Sequence, residues 1–220
     1  MIKVIPTSDK SNTLYSEQFD EHYHSTHGAI NESMHIFIKE ALLYSSLKKA
    51  TIFEVGFGTG LNAFLTFIES LKNDLSITYI SLEKYPVDID TSKQLNYADI
   101  IAPEYLSEFM KMHSSAWNEQ VIINNGFKLI KILDDFNQYE LKEKVDIIFF
   151  DAFSPDTQPE LWSFPNFKKL YNALNDNGIL ITYSSKGIVK DNLRKAGFVV
   201  KRLKGPVGKR HIIRAEKKNI

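Results

Sequence analysis

The stretch "IFEVGFGTGLNAFLT", residues 52–66, decides the fold. An apolar run ends in three glycines at alternate positions, Gly56, Gly58 and Gly60, and then turns amphipathic. A chain reads this way where a buried strand bends tightly into a helix and its backbone N–H groups come close to a ligand. The spacing is G-x-G-x-G, one residue short of the dinucleotide fingerprint, in which a pyrophosphate needs the helix N-terminus presented to two phosphates.

Outward from this turn, strand-like and helix-like periods alternate. "ATIFEVG" reads as a first buried strand, "LNAFLTFIESLK" as a helix, "SITYISLE" as a second strand, and "PVDIDTSKQLNYA" as a helix with Pro86 near its start. Residues 100–119 read as helical, "KLIKILDD" as a third strand, "VDIIFFDAF" as a fourth, and "GILITYSS" as a fifth after a helix around "FPNFKKLYNALNDN". Upstream, "NESMHIFIKEALLYSSL" carries Met34, Phe37, Ile38, Ala41 and Leu42 at helical spacing with Asn31 as a cap, and residues 1–28 look irregular. Continuous apolar strands separated by helices predict a mostly parallel sheet covered on both faces. "GFVVKRLKG" and "KRHIIRAEK" are joined only by "PVG", too short for a crossover, so this final pair is predicted to run antiparallel. The class predicted is α/β, a Rossmann-like S-adenosylmethionine-dependent methyltransferase fold. An N-terminal cap segment and helix occupy residues 1–50, and the core 51–220, in a single globular unit.

Acids at the strand ends sharpen the ligand. S-adenosylmethionine has no phosphate, and its cationic amino end suits an adjacent carboxylate such as Glu54, through hydrogen bonds or a bridging water. Glu83, ending the second strand, is placed to hold ribose hydroxyls. After the third strand, Asp134 or Asp135 is placed to accept from an adenine amino group, with Asp135 preferred. Asn62 and Lys84 complete the cofactor-binding set. Asp151 follows "VDIIFF" at the end of a buried strand, beside the ligand crevice; the plainer alternative is a turn residue. Pro155 and Pro159 stiffen the loop that follows, and Trp162 offers a flat face either to a base or to the loop itself.

With 220 residues and 43% hydrophobic content the chain can bury one substantial core. It has no cysteine, which excludes disulfides, thiolate zinc sites and cysteine nucleophiles. No apolar run approaches the ~20 residues that span a bilayer, and the N-terminus lacks a secretory segment, so a cytoplasmic protein with no membrane partner is predicted. The formal net charge of zero hides an asymmetry: residues 186–220 hold 12 Lys and Arg against 2 acids, and the first 185 hold 15 basic and 25 acidic groups. Such a cationic end either grips phosphates or forms a solvated surface.

The runs "SEQFDEHYHSTHGAINESMHIFI", "FEVGFGTGLNAFLT", "SLEKYP", "DAFSPDTQPELW", "TYSSKGIVKDNLRKAGFVV" and "KGPVGKRHIIRA" together resemble the methyltransferase domain of bacterial tRNA 5-methylaminomethyl-2-thiouridine biosynthesis. They follow the family's order from Ser16 to Ala215. In many bacteria that domain is fused to an FAD-dependent oxidase; this chain resembles a stand-alone form, so a separate enzyme is expected to supply the aminomethyl substrate. The resemblance implies methyl transfer from S-adenosylmethionine to the aminomethyl nitrogen of a wobble uridine in the tRNA anticodon loop. It puts Gly56, Gly58, Gly60 and Glu83 on cofactor positions and Asp151 on the acid of the D-A-F-x-P motif. One departure is Gln158, where the family often has Asn.

The substrate-binding set is Tyr23, Pro155, Trp162, Tyr183, Lys209 and Arg210. Tyr23 and Ser25 belong to a segment expected to fold over the crevice, and Lys209 and Arg210 to a basic run at the tRNA backbone or the rim of the site. His22, His24 and His27 fit no standard metal spacing, and no metal is predicted. A small-molecule amine methyltransferase or an aminopropyl-transfer enzyme shares the fold and the acid after the fourth strand, but leaves the basic end unexplained. A monomer is the default.

Overall fold

The computed structural model describes residues 1–218, so positions 219 and 220 of the predicted core lie outside the described residues. The first 28 residues are more regular than the sequence suggested. Strands β1 (Ile2–Pro6), β2 (Asn12–Ser16) and β3 (Glu21–His22) form an antiparallel meander. Runs of five, five and two residues are too short to show a period. Helix α1 (Ala29–Ser33) follows and continues as a π-helical stretch, Met34–Leu43, that buries Ile36, Phe37, Ile38, Ala41 and Leu42. Asn31 is not the cap. It lies inside the first turn, where its backbone N–H donates to Asp9 Oδ2 at 2.9 Å, so the acid of the β1–β2 connection serves the helix start.

Strand β4 (Lys49–Val55), helix α2 (Leu61–Asn73) and strand β5 (Ser76–Glu83) lie as read. The single helix read after Pro86 is instead two short ones, α3 (Ile89–Ser92) and α4 (Tyr97–Ile101); Asp88, not Pro86, opens α3 by accepting from the Thr91 N–H at 2.8 Å. The next helical stretch is broken at Pro103–Tyr105 and ends with α5 (Leu106–Ser114), short of residue 119. Strand β6 (Gln120–Asn124) was not foreseen, because only Ile123 of its five residues is buried. It pairs antiparallel with β7 (Phe127–Leu133). Then come β8 (Val145–Phe150), α6 (Phe164–Ala173), β9 (Leu174–Thr182), α7 (Gly187–Ala196), β10 (Val199–Lys204) and β11 (His211–Glu216).

The eight-stranded sheet has the order β10-β11-β9-β8-β4-β5-β7-β6. Its five central strands are parallel; β10 and β11 pair antiparallel, as the short "PVG" link required, and β11 also pairs antiparallel with β9. From β4 the chain winds to β5 and β7 on one side, then to β8 and β9 on the other. The direction of winding therefore reverses between β4 and β8, and a crevice opens at their C-terminal ends.

The pleat sends alternate residues to two cores. Ile52, Tyr79 and Phe149 face Phe37, Phe64, Phe67 and Phe109. Phe53, Ile80 and Phe150 face Trp162, Phe167 and Leu193. Among the described residues no helix is long and apolar enough to cross a membrane.

Candidate active site

The β4–α2 turn forms one wall of a 510 Å³ cavity at the switch point, a size typical of small-molecule sites. Gly56 and Gly58 have φ of +94° and +49°, a region side chains disfavour. A Cβ on Gly56 would lie 2.9 Å from the Asp151 carbonyl oxygen, and one on Gly58 would lie 3.1 Å from the Tyr23 ring. Strand β4 can therefore meet β8 closely only without a side chain at 56, and the roof descends onto the turn only without one at 58. Behind the turn, Thr59 is held twice. His24 Nε2 pairs with its hydroxyl at 2.7 Å and His113 Nε2 donates to its carbonyl at 3.1 Å.

Asp151 sits on the cavity floor, where β8 ends. Burial, with Glu54 and Glu32 nearby, holds its carboxyl well above the ordinary carboxylate range; Asn62 and Lys209 pull the other way. The Asn62 amide donates to Asp151 Oδ2 at 2.8 Å. Glu83 closes the far side. Its two oxygens accept from the backbone N–H groups of Gly58 at 3.0 Å and Tyr85 at 2.7 Å. Next to it Lys84 pairs with Asp135 at 2.8 Å, and this partner holds the Asp135 carboxyl below its ordinary value. Of the two candidate acids, Asp135 lines the cavity; Asp134 is exposed and accepts from the Asp135 N–H.

The roof comes from the N-terminal meander. Tyr23 packs on Phe153 at 5.0 Å and Phe19 on Phe153 at 4.7 Å, so two aromatics clamp the loop after Asp151. Glu21 accepts from the Ser154 N–H through both oxygens, at 3.0 and 3.2 Å. The remaining wall is Tyr183, whose hydroxyl donates to the Ala152 carbonyl at 2.9 Å, and Lys209, which ion-pairs with Glu32 at 3.0 Å. Glu21 and Glu32 escaped the sequence reading, because each works through a partner distant in the chain and leaves no local pattern.

The structure brings Asp151, Gly56, Gly58, Asn62, Glu83, Lys84, Asp135, Tyr23, Tyr183 and Lys209 around one cavity. Five predicted residues do not line it. Glu54 is 1% exposed, because the pleat turns it to the α2 face of the sheet, beneath the site. Gly60 caps α2 on the side of His113, where a Cβ would meet the imidazole at 2.9 Å. Pro155 is buried under its own loop. Trp162 offers no face to a base: it is 1% exposed, packs against Phe150 and Phe167, and its indole N–H donates to the Phe153 carbonyl. Arg210 is exposed in the turn that joins β10 to β11, whereas Lys209 just before it lines the cavity.

The three histidines serve different neighbours. His22 packs on Tyr15, His24 binds Thr59, and His27 lies against Gly208. Of the basic C-terminal residues, Lys186, Arg194, Lys201, Lys209, Arg214 and Lys217 have carboxylate partners. Lys190, Arg202 and Arg210 instead gather around His211, whose imidazole is held below its ordinary value by partial burial and by these cations.

The cavity fits S-adenosylmethionine. Asn62, on its wall, spends its amino group on two carboxylates and leaves its buried carbonyl oxygen without a partner. Glu83 ends β5 and Asp135 follows the neighbouring strand β7, both at the cavity, the order in which ribose and base contacts are expected. A family model described as S-adenosyl-L-methionine-dependent methyltransferase matches residues 93–218. The bifunctional tRNA 5-methylaminomethyl-2-thiouridine biosynthesis protein MnmC of Campylobacter fetus is 32% identical over 212 residues, covering 92% of this chain and 34% of the relative. Its counterpart in Nitrosospira multiformis is 31% identical over 220 residues, covering 92% and 35%. The chain thus spans about a third of the length of these curated relatives. Among solved structures, MnmC2 from Aquifex aeolicus has a TM-score of 0.80 at 27% identity, covering 100% of this chain and 73% of that one. Spermidine synthase from Thermotoga maritima, with a TM-score of 0.60 at 15% identity over 98% of this chain and 73% of its own, shares the fold alone.

Proposed function

This chain belongs to the S-adenosyl-L-methionine-dependent methyltransferase family, and from that premise we propose that it methylates the aminomethyl nitrogen of wobble-position 5-aminomethyl-2-thiouridine in tRNA. The product is 5-methylaminomethyl-2-thiouridine. The observation that carries this reading is the position of Asp151, a half-buried carboxylate on the cavity floor between the glycine turn and the Lys209–Tyr183 wall. The names of the relatives support the choice of tRNA. So do Lys190, Arg202 and Arg210 around His211, a group of cations of the kind that meets phosphates.

When bound, the cofactor supplies a methyl group on a sulfonium. The residues of the chain prepare the acceptor. An aminomethyl group is largely protonated in neutral water, and a protonated nitrogen has no lone pair to attack with. Asp151 takes that proton and orients the freed nitrogen. Its raised affinity for a proton suits it to this role, because a carboxylate of ordinary acidity is too weak a base for an ammonium. Asn62 holds the carboxylate still, and Gly56 lets the donor's cradle come within contact of it. Holding the reacting atoms in line supplies up to ~7–11 kcal/mol of the barrier. The wobble base is splayed from an unpaired loop and enters under Tyr23 and Phe153.

Incubation with S-adenosylmethionine and tRNA bearing aminomethyl-thiouridine, followed by mass analysis of the nucleosides, tests the proposal. A gain of one methyl on that nucleoside is expected. Methylation of free amines with none on tRNA contradicts it.

A further inference from the structure

One amide group joins two acids, Glu54 fully buried and Asp151 half-buried. Asn62 Nδ2 lies 3.0 Å from Glu54 Oε1 and 2.8 Å from Asp151 Oδ2. Glu54 is pinned in turn, because Ser81 Oγ donates to its Oε2 at 2.6 Å and the parallel register sets Ser81 beside it. At 1% exposure Glu54 lies beneath the cavity and lines none of it, so it touches no ligand there. Burying a carboxyl in such a place costs stability that its hydrogen bonds only partly offset, which points to a role beyond packing.

We propose that Glu54 is a positioning residue, which fixes the proton-accepting carboxylate of Asp151 through the amide of Asn62. The proposal rests on the reading of Asp151 as the amine's base. The orientation of Asn62 follows from its neighbours: turned the other way, its carbonyl oxygen would face both carboxylates. Oδ2 of Asp151 is engaged by the amide, which leaves Oδ1 for the substrate.

The bridge also couples the two acids. Two carboxylates joined through one NH2 group do not both ionise at low cost. Burial pushes Glu54 up to about 8, and Asp151 rises for the same reason. The pair therefore resists carrying two negative charges, and ionisation of Asp151 competes with that of Glu54. Tyr79 and Glu83 of β5 face Glu54, while Glu32, Lys209 and Tyr183 face Asp151; of these Lys209 favours ionised Asp151 and the Tyr79 hydroxyl favours ionised Glu54, while the acids oppose both. In the step itself an O–H bond forms on Asp151 as an N–H bond of the ammonium breaks. The electron pair left on nitrogen makes the new N–C bond, and the electrons of the breaking C–S bond remain on sulfur.

Glu54→Gln keeps an acceptor for Asn62 and a partner for Ser81 but removes the second acid. With no competitor for the charge, Asp151 ionises at lower pH. The acidic limb of the kcat profile is expected to move down by about one pH unit, with KM for S-adenosylmethionine unchanged. The carboxyl 13C titration of Asp151 in protein labelled at aspartate should move in the same direction in the absence of any substrate. Glu54→Leu removes the acceptor as well, and should lower kcat at least about tenfold at every pH, a loss that Gln restores. An unmoved titration in Glu54→Gln, or an unchanged kcat in Glu54→Leu, overturns the proposal. If the unaltered protein leaves tRNA unmethylated, the substrate reading fails, while the 13C titration still decides whether Glu54 and Asp151 are coupled.

Discussion

The Lys209 ammonium lies 3.0 Å from the Glu32 carboxylate and 4.9 Å from the centre of the Tyr183 ring, tying the tip of the β10–β11 hairpin to α1 at the cavity wall. The Glu32 side chain is only 9% exposed. Lys209→Ala leaves that carboxylate without its counter-ion near Asp151, held by the Ser25 N–H at 2.7 Å, and is expected to cost about 1–3 kcal/mol of stability by urea denaturation. Adding Glu32→Gln should recover part of the loss. A double variant no more stable than Lys209→Ala alone would show that the pair does not hold the hairpin down.

Gly58→Ala places a methyl 3.1 Å from the Tyr23 ring at a left-handed backbone position. The turn must shift, and affinity for S-adenosylhomocysteine measured by calorimetry should fall about tenfold or more, in line with a strain cost of ~1–3 kcal/mol. Gly187→Ala is the control, since a Cβ there meets nothing within 4 Å. Equal affinities for the two variants would remove the turn from the cofactor site.

Glu21 holds the loop after Asp151 by accepting from the Ser154 N–H. Glu21→Ala frees that loop at a cost of about 1–2 kcal/mol. The expected signature is a several-fold rise in KM for tRNA with S-adenosylhomocysteine affinity nearly unchanged. A loss confined to cofactor affinity would reassign the roof to the other ligand.

His24 and His113 bracket Thr59, and burial pushes both imidazoles down to about 4. An unfolded histidine titrates near 6.5. Between about 6.5 and 4 the unfolded chain therefore binds protons that the folded chain does not. The stability these histidines contribute is complete above 6.5 and is lost as pH falls, by up to a few kcal/mol in total. The raised carboxyls of Asp151, Glu54 and Glu83 act in the opposite sense, so the useful quantity is a difference. His113→Gln, which keeps a donor for the Thr59 carbonyl, should lose less stability than the unaltered protein between pH 7 and pH 5. Parallel losses would mean that His113 is not buried neutral.

The sheet and the position of Asp151 were legible because both follow from local pattern: apolar runs of strand length, a glycine turn, and an acid at the end of "VDIIFF". Residues whose role depends on which way they face were harder. Glu54 and Trp162 carry chemistry suited to a ligand, yet the pleat turns one to the α2 face and packing sends the other into the core. Lys209 and Arg210 are adjacent and alike, and only the path of the turn between β10 and β11 separates the wall from the outer surface. Glu21 and Glu32 were invisible because their partners, Ser154 and Lys209, lie in distant parts of the chain.

The central claim is that Asp151 prepares a tRNA amine for methylation. The most direct measurement is a single-turnover reaction with trideuteromethyl-labelled S-adenosylmethionine and tRNA bearing 5-aminomethyl-2-thiouridine, run with the unaltered protein and with Asp151→Asn. The account predicts one labelled methyl on that nucleoside, and a rate about 10²–10⁴-fold lower in Asp151→Asn with S-adenosylhomocysteine affinity preserved. Label appearing at equal rates with both proteins, or on no tRNA nucleoside at all, would contradict it.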